Sequence, residues 1–261
     1  MKNHIAVLLL SSLATLAVAD DKDQIEPDRP DFVESSKVVG KGRFQIETGI
    51  AGEHDKTDGL SERTLTTPAL LRLGVSDTLE LRAESDGRTW YRAGGAGQPA
   101  VRAQGYGDLS LGVKWHVLDA QGARPSVGLL FDVALDSGSG PFRGEGKRPS
   151  ARISGDWDLP NDFSLGMMTG VVRERTPMGG RYTSSLLAAS LAKGWTDHFQ
   201  TYVELAAPHI ANSAHGGSTL SFDFGGAYLL SDSLQVDTGF ARGLNHHTAD
   251  ISWTVGVSAR F

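Results

Sequence analysis

The chain reads as an all-β protein, an antiparallel up-and-down transmembrane β-barrel of about 12 strands, the even count that single-chain bacterial barrels require. Three observations predict this. The final stretch, Ile251 to Phe261, alternates without a break. Ile251, Trp253, Val255, Val257, Ala259 and Phe261 share one face, and Ser252, Thr254, Gly256, Ser258 and Arg260 the other. A strand of that length, apolar on one side only, suits a bilayer crossing in a closed barrel. Secondly, such segments recur along the chain, joined by connections that alternate between short and long. Thirdly, mean hydropathy is only -0.21, and past the first residues no stretch nears the ~20 apolar residues of a spanning helix. A membrane protein so polar on average has to be a barrel, because only alternate residues meet lipid.

The amino terminus fits export. Lys2 precedes an apolar run from Ile5 to Leu16, and Ala17-Val18-Ala19 before Asp20 has the small-x-small form of a cleavage site. Residues 1–19 are therefore read as a signal peptide and excluded from the fold. The chain has no cysteine, which rules out disulfides and thiolate metal sites. Its net charge of -6 offers no basic face for nucleic acid.

Residues 20–41 are acidic, proline-containing and without period, and are read as a periplasmic arm. The plain expectation for such a segment is a loose tail; the sharper one is that Asp28-Arg29-Pro30-Asp31-Phe32 folds into the barrel mouth and narrows it. The barrel is expected over 42–261. Alternation starts at Gly42 to Glu53, where Phe44, Ile46, Thr48 and Ile50 oppose Arg43, Gln45 and Glu47. Leu65 to Leu73 follows with Arg72 inward, interrupted by Pro68, which cannot donate to a ladder. Tight polar turns carrying Asp recur at Asp77, Asp162, Asp197 and Asp232, each just ahead of a new alternating strand. Longer connections are expected at roughly Ala51 to Arg63, Ser85 to Gln104, Asp136 to Arg148, Glu174 to Arg181, Ala207 to Gly217 and Ala241 to Asp250.

The middle strands keep the division. Leu109, Leu111, Val113, Trp115 and Val117 oppose Lys114 and His116; Val127, Leu129, Phe131 and Val133 oppose Asp132; Ala151, Ile153 and Trp157 oppose Arg152 and Asp156. Phe163 to Arg173 turns Phe163, Leu165, Met167 and Val171 outward. Tyr182 to Lys193 is small or apolar on both faces, so its register is open. Phe199 to Ala206, Ser218 to Leu230 and Leu234 to Phe240 resume the pattern with Glu204, Asp223 and Asp237 inward. Charges facing hydrocarbon would each cost a few kcal/mol, so their confinement to one face argues for a wet or tightly paired lumen. Candidate lumen-lining residues are Arg72, Glu80, Arg82, Lys114, Asp132, Arg152, Glu204 and Asp237. Pairing that fills the interior is the plainer reading of most of them, and electrostatic screening of solutes the sharper.

Several blocks carry a family resemblance. Asp28-Arg29-Pro30-Asp31-Phe32-Val33-Glu34-Ser35 and Gly40-Lys41-Gly42-Arg43-Phe44-Gln45-Ile46-Glu47-Thr48-Gly49, with Thr67 to Gly74, Gly107 to Lys114 and Tyr202-Val203-Glu204, resemble the outer-membrane transporter-like family named for the meta pathway of phenol degradation. The resemblance covers nearly all of the chain after the signal. It implies a bacterial outer-membrane barrel that moves small, aromatic or otherwise hydrophobic solutes, with no catalytic residues carried over.

The function expected is thus a passive outer-membrane channel or transporter, porin-like, for small solutes. The alternatives are a structural or adhesive barrel without transport and an outer-membrane hydrolase. The enzyme reading lacks a G-x-S-x-G elbow and an H-E-x-x-H motif, and His246-His247 sits in an expected loop. No cofactor is expected. Partners are outer-membrane lipid, a small-molecule solute and the barrel-assembly machinery, the last through Ile251 to Phe261. Arg143, Lys147 and Arg148 in one external loop are candidates for touching lipid phosphates.

Overall fold

The computed structural model describes residues 24–57, 59–95, 99–176 and 178–261. The expected signal peptide and residues 20–23 of the arm lie outside them. The strands are β1 Phe44–Thr57, β2 Leu60–Thr66, β3 Ala69–Gly74, β4 Leu79–Ser85, β5 Arg88–Gly95, β6 Val101–Tyr106, β7 Ser110–Leu118 and β8 Ser126–Ala134. They continue as β9 Arg148–Leu159, β10 Phe163–Arg175, β11 Arg181–Thr196, β12 Phe199–Ile210, β13 Ser221–Ser231, β14 Leu234–Gly243 and β15 Ile251–Arg260. All pairings are antiparallel, and β15 closes on β1 from Gln45↔Arg260 to His54↔Ile251. Phe261 and Phe44 complete the seam with two backbone bonds of 2.8 and 3.0 Å.

The ring has twelve staves, three of them split. β2 and β3 both pair with β1, one above the other, and the break between them falls at Thr67 and Pro68. Proline lacks the amide a ladder needs; its carbonyl instead accepts from the Gly49 amide at 3.2 Å and the Thr48 hydroxyl at 2.9 Å. β4 and β5 form the next stave, broken at Asp86-Gly87, and β6 and β7 the third. Gly87 has φ +64°, and a Cβ there would collide with the Thr67 carbonyl, so the break requires glycine.

The two faces differ as a barrel in lipid demands. Leu205 is 53% exposed while its neighbour Glu204 is 1% exposed; Leu187 is 51% exposed and Leu186 4%. Large apolar side chains on the outer wall, including Leu81, Phe131, Val203, Phe224 and Val255, are open all round the ring. A water-soluble protein would hide such a belt; here hydrocarbon covers it, as in a transmembrane β-barrel. No described helix is long and apolar enough to cross a membrane.

Two sequence expectations are corrected. Ser85 to Gln104 and Ala51 to Arg63 are not simply connections: β5, much of β6, the end of β1 and the start of β2 lie within them. These strands project past the lipid belt, where neither face has to be apolar, so the hydrophobic alternation stops before the ladder does. The register of β11 is also settled, with Ser184, Leu186, Ala188 and Ser190 inward and Leu187 and Leu191 outward.

Candidate functional site: the arm inside the barrel

Residues 24–41 do not hang from the barrel. They run round its interior, tied to nearly every wall element in turn. Arg29 donates to Asp237 of β14 at 3.1 Å and to Thr254 of β15 at 2.7 Å. The Phe32 and Val33 amides donate to the two carboxylate oxygens of Glu204 on β12, at 2.9 and 2.8 Å. Asp31 accepts from Ser190 of β11 at 2.9 Å. The Ser36 amide donates to Asp156 of β9 at 2.7 Å, and the Val39 amide to Glu80 of β4 at 2.9 Å. An arm without secondary structure has unpaired backbone donors and acceptors, and buried ones need partners. The inward polar side chains supply them.

The arm also brings apolar contacts. Val33 sits in a cluster with Met168, Leu186, Ala188 and Ala206, flanked by Phe32 and Val172. Burying a side chain such as Val33 contributes about 1.5 to 3 kcal/mol. This patch explains why the β11 sequence is apolar on both faces: one side meets lipid and the other meets the arm.

The strongest attachment is electrostatic. The Asp28 carboxylate accepts from Arg82 at 2.6 Å and from Lys114 at 2.7 and 2.8 Å, with Arg72 at 3.4 Å. Glu34 meets Arg82 at 2.6 Å and also pairs with Arg152, which holds Asp132 at 2.6 Å. Arg72 in turn holds Glu80 at 2.9 Å and Glu47 at 3.0 Å. Burial pushes the Asp28 carboxyl up, but Arg72, Lys114 and Arg82 together hold it well below the usual carboxylate range. Asp31 goes the other way: burial, opposed by the Ser190 hydrogen bond and reinforced by Asp28 and Asp156, raises it to about 7.

All eight candidate lumen residues are on the inner face, and they fall into three groups. Arg72, Glu80, Arg82, Lys114, Asp132 and Arg152 belong to the network around Asp28 and Glu34. Glu204 clamps the arm backbone, and Asp237 holds Arg29. The arm's own contributors, Asp28, Arg29 and Glu34, are absent from the sequence-derived set. Their signal was compositional: an acidic arm preceding a wall that turns Arg72, Arg82, Lys114 and Arg152 inward. Two of the three external-loop cations are engaged within the protein, Arg148 with Asp108 at 2.8 Å and Arg143 with Asp136 at 3.5 Å.

Open space remains on both sides of the arm. A cavity of about 560 Å³ lies towards the short turns, lined by Asp31, Val33 and Lys37 of the arm with Asp197, His198 and Gln235. A second of about 440 Å³ lies towards the long loops, between Glu84, Asp86 and Asp108 and residues 141–144. Among the described residues no three His, Asp or Glu side chains gather as a metal site. His246 and His247 lie together in the β14–β15 connection, with ring centroids 3.9 Å apart and planes tilted by 45°.

Comparison with known proteins adds a family and a fold. The family described as "Putative MetA-pathway of phenol degradation" matches residues 27–261. Among solved structures, the COG4313 outer membrane channel from Pseudomonas putida F1 superposes with a TM-score of 0.63 at 11% identity, over 94% of this chain and 100% of that one. The KdgM porin in complex with disordered oligogalacturonate gives 0.54 at 12% identity, over 83% and 99%. The translocator domain of the autotransporter NalP from Neisseria meningitidis gives 0.51 at 13% identity, over 85% and 89%. No curated protein has a significant match to the chain.

Proposed function

Because the chain belongs to that phenol-degradation family, whose match takes in the arm as well as the barrel, we propose that it is a passive outer-membrane channel for small solutes, closed at rest by residues 24–41. The observation that carries this reading is the arm itself, a polar strap between two cavities, held by side chains from opposite walls. A barrel meant only as a structural element has no need of space on either side of such a strap. The solutes we assign are small aromatic or otherwise hydrophobic molecules; the family description, which refers to phenol degradation, supports that class.

Planar bilayers test the reading. Full-length protein should conduct in brief, low-probability openings, and a chain lacking residues 24–41 should stay open. Replacing Arg82 and Glu80 together should shift the reversal potential under a salt gradient. If the arm-deleted barrel folds, as judged by heat-modifiable migration, and is as silent as the full chain, the channel reading fails and a structural barrel takes its place. Uptake of phenol against a sugar of similar size, in proteoliposomes, tests the solute class.

A further inference from the structure

The outer wall carries a feature that the lumen does not use. Where β1, β2, β5 and β6 rise above the lipid belt, His54, Arg63, Arg92 and Arg102 stand directly opposite one another in a single cross-strand row. The row faces outward, because His54 is also opposite Ile251, an exposed apolar residue of β15. Arg63, Arg92 and Arg102 are exposed, and none of them is paired with a carboxylate among the described residues. Like charges placed directly opposite destabilise a sheet. Three arginines in one row therefore call for an anion between them.

The next row down the same face is of another kind. There Trp253 is opposite Gly52, Gly52 opposite Leu65, and Leu65 opposite Trp90. Gly52 leaves room for the indole, since a Cβ at that position would come within 2.6 Å of the Trp253 ring. Together the two rows line a groove of about 920 Å³ on the outside of the barrel. Tryptophans mark the level where hydrocarbon meets headgroups. Two residues further along a tilted strand lie about 5 Å higher, among the headgroups themselves. The long connections place this end on the outer side of the membrane.

We propose that the groove binds a phosphorylated glycolipid of the outer leaflet. Its phosphates would sit between Arg63, Arg92 and Arg102, and its acyl chains would lie on Leu65, Trp90 and Trp253. Guanidinium pairs suit phosphate because each offers two parallel donors, and the aromatic shelf directly beneath distinguishes a lipid from a free anion. Arg143 and Arg148 do not share this role, since each already has an aspartate. The inference depends on the barrel standing in an outer membrane and is indifferent to conduction.

The test uses the full-length protein in detergent with three probes: bisphosphorylated lipid A, the same lipid with its phosphates removed, and inorganic phosphate alone. Native mass spectrometry or quenching of Trp90 and Trp253 reads the binding. Bisphosphorylated lipid A should bind at least about tenfold more tightly than the dephosphorylated form, in line with loss of charged hydrogen bonds, and millimolar inorganic phosphate should not compete. Equal binding of both lipids, or full competition by phosphate, overturns the proposal without recourse to any variant. The triple variant R63Q/R92Q/R102Q should lose the preference for the phosphorylated lipid while keeping heat-modifiable migration. A control with the same charge loss elsewhere, R143Q/K147Q/R173Q, should keep it. Equal loss in both variants would reduce the effect to net charge and reject the site.

Discussion

Asp28→Asn is the most direct perturbation of the arm. The wild-type carboxylate satisfies Arg82 at 2.6 Å and Lys114 at 2.7 Å, and all three side chains are almost wholly buried. After the change, Arg82 keeps Glu34 and Glu80. Lys114 keeps the Ser35 carbonyl at 2.8 Å and the neutral amide oxygen of the new side chain, but its nearest carboxylate is then a Glu34 oxygen at 3.8 Å. Removing one partner from a buried charge cluster costs about 3 to 5 kcal/mol. The wall does not need Asp28 to close, because β15 and β1 are joined by their own ladder, so the cost falls on seating of the arm. At about 1.4 kcal/mol per factor of ten, the unseated population should rise by roughly a hundred- to a few thousandfold. Hydrogen exchange at the Phe32 and Val33 amides, alongside single-channel open probability, measures that rise. A second change, Lys114→Met in the Asp28→Asn background, should recover much of the loss, because it removes the stranded cation. If Asp28→Asn changes amide exchange by less than about threefold, or the double variant is worse than the sum of its parts, the latch we derive from these distances is wrong.

Seating should also depend on pH. Asp31 is raised to about 7 in the seated arm, so that state holds a proton that a released arm, with an ordinary aspartate near pH 4, has given up. Its contribution is fully present below that lower value and is lost as pH rises through about 7. Asp28 and Glu34 are held down and act in the opposite sense, but only below the usual carboxylate range. Open probability should therefore climb between about pH 4 and 7 and level off above, and Asp31→Asn should flatten the climb; a slope unchanged in that variant counts against the assignment. Glu204→Gln should break one of the two bonds to the Phe32 and Val33 amides, because the carboxamide has one acceptor oxygen and its nitrogen faces the other amide, at a cost of about 1 to 3 kcal/mol, read as faster exchange there and nowhere on the wall. Gly87→Ala should lower the temperature of the heat-modifiable transition, because the positive φ and the Thr67 carbonyl both resist a Cβ; a transition unmoved would mean that the stave break relaxes freely.

What was legible in the sequence was whatever lipid imposes. From Leu109 to Phe240 the outward apolar residues keep their period because one face meets hydrocarbon, and the strand order follows from turns that join neighbours. The pattern fails where that pressure ends. Arg88–Gly95 and Val101–Tyr106 are strands with arginine, tryptophan and glutamine outside, and nothing in their spacing separates them from a loop. The inward charges were visible as inward, but their partners were not. Asp28 lies 54 residues from Arg82 and 86 from Lys114, and an aperiodic arm gives no register by which to place it. Leu186 and Ala188 obscured the β11 register because the arm they touch supplies an apolar surface that a pattern based on lipid and water does not foresee.

The arm's position also sets an order of events. Its bonds reach from Glu47 on the first strand to Thr254 on the last, 225 residues beyond Arg29. The stretch that precedes every strand in the chain therefore has no complete berth until the final hairpin has joined the first strand. Whatever brings the two ends of the sheet together must do so around a segment still waiting for half its anchors, and the last act of maturation belongs to the earliest of the described residues.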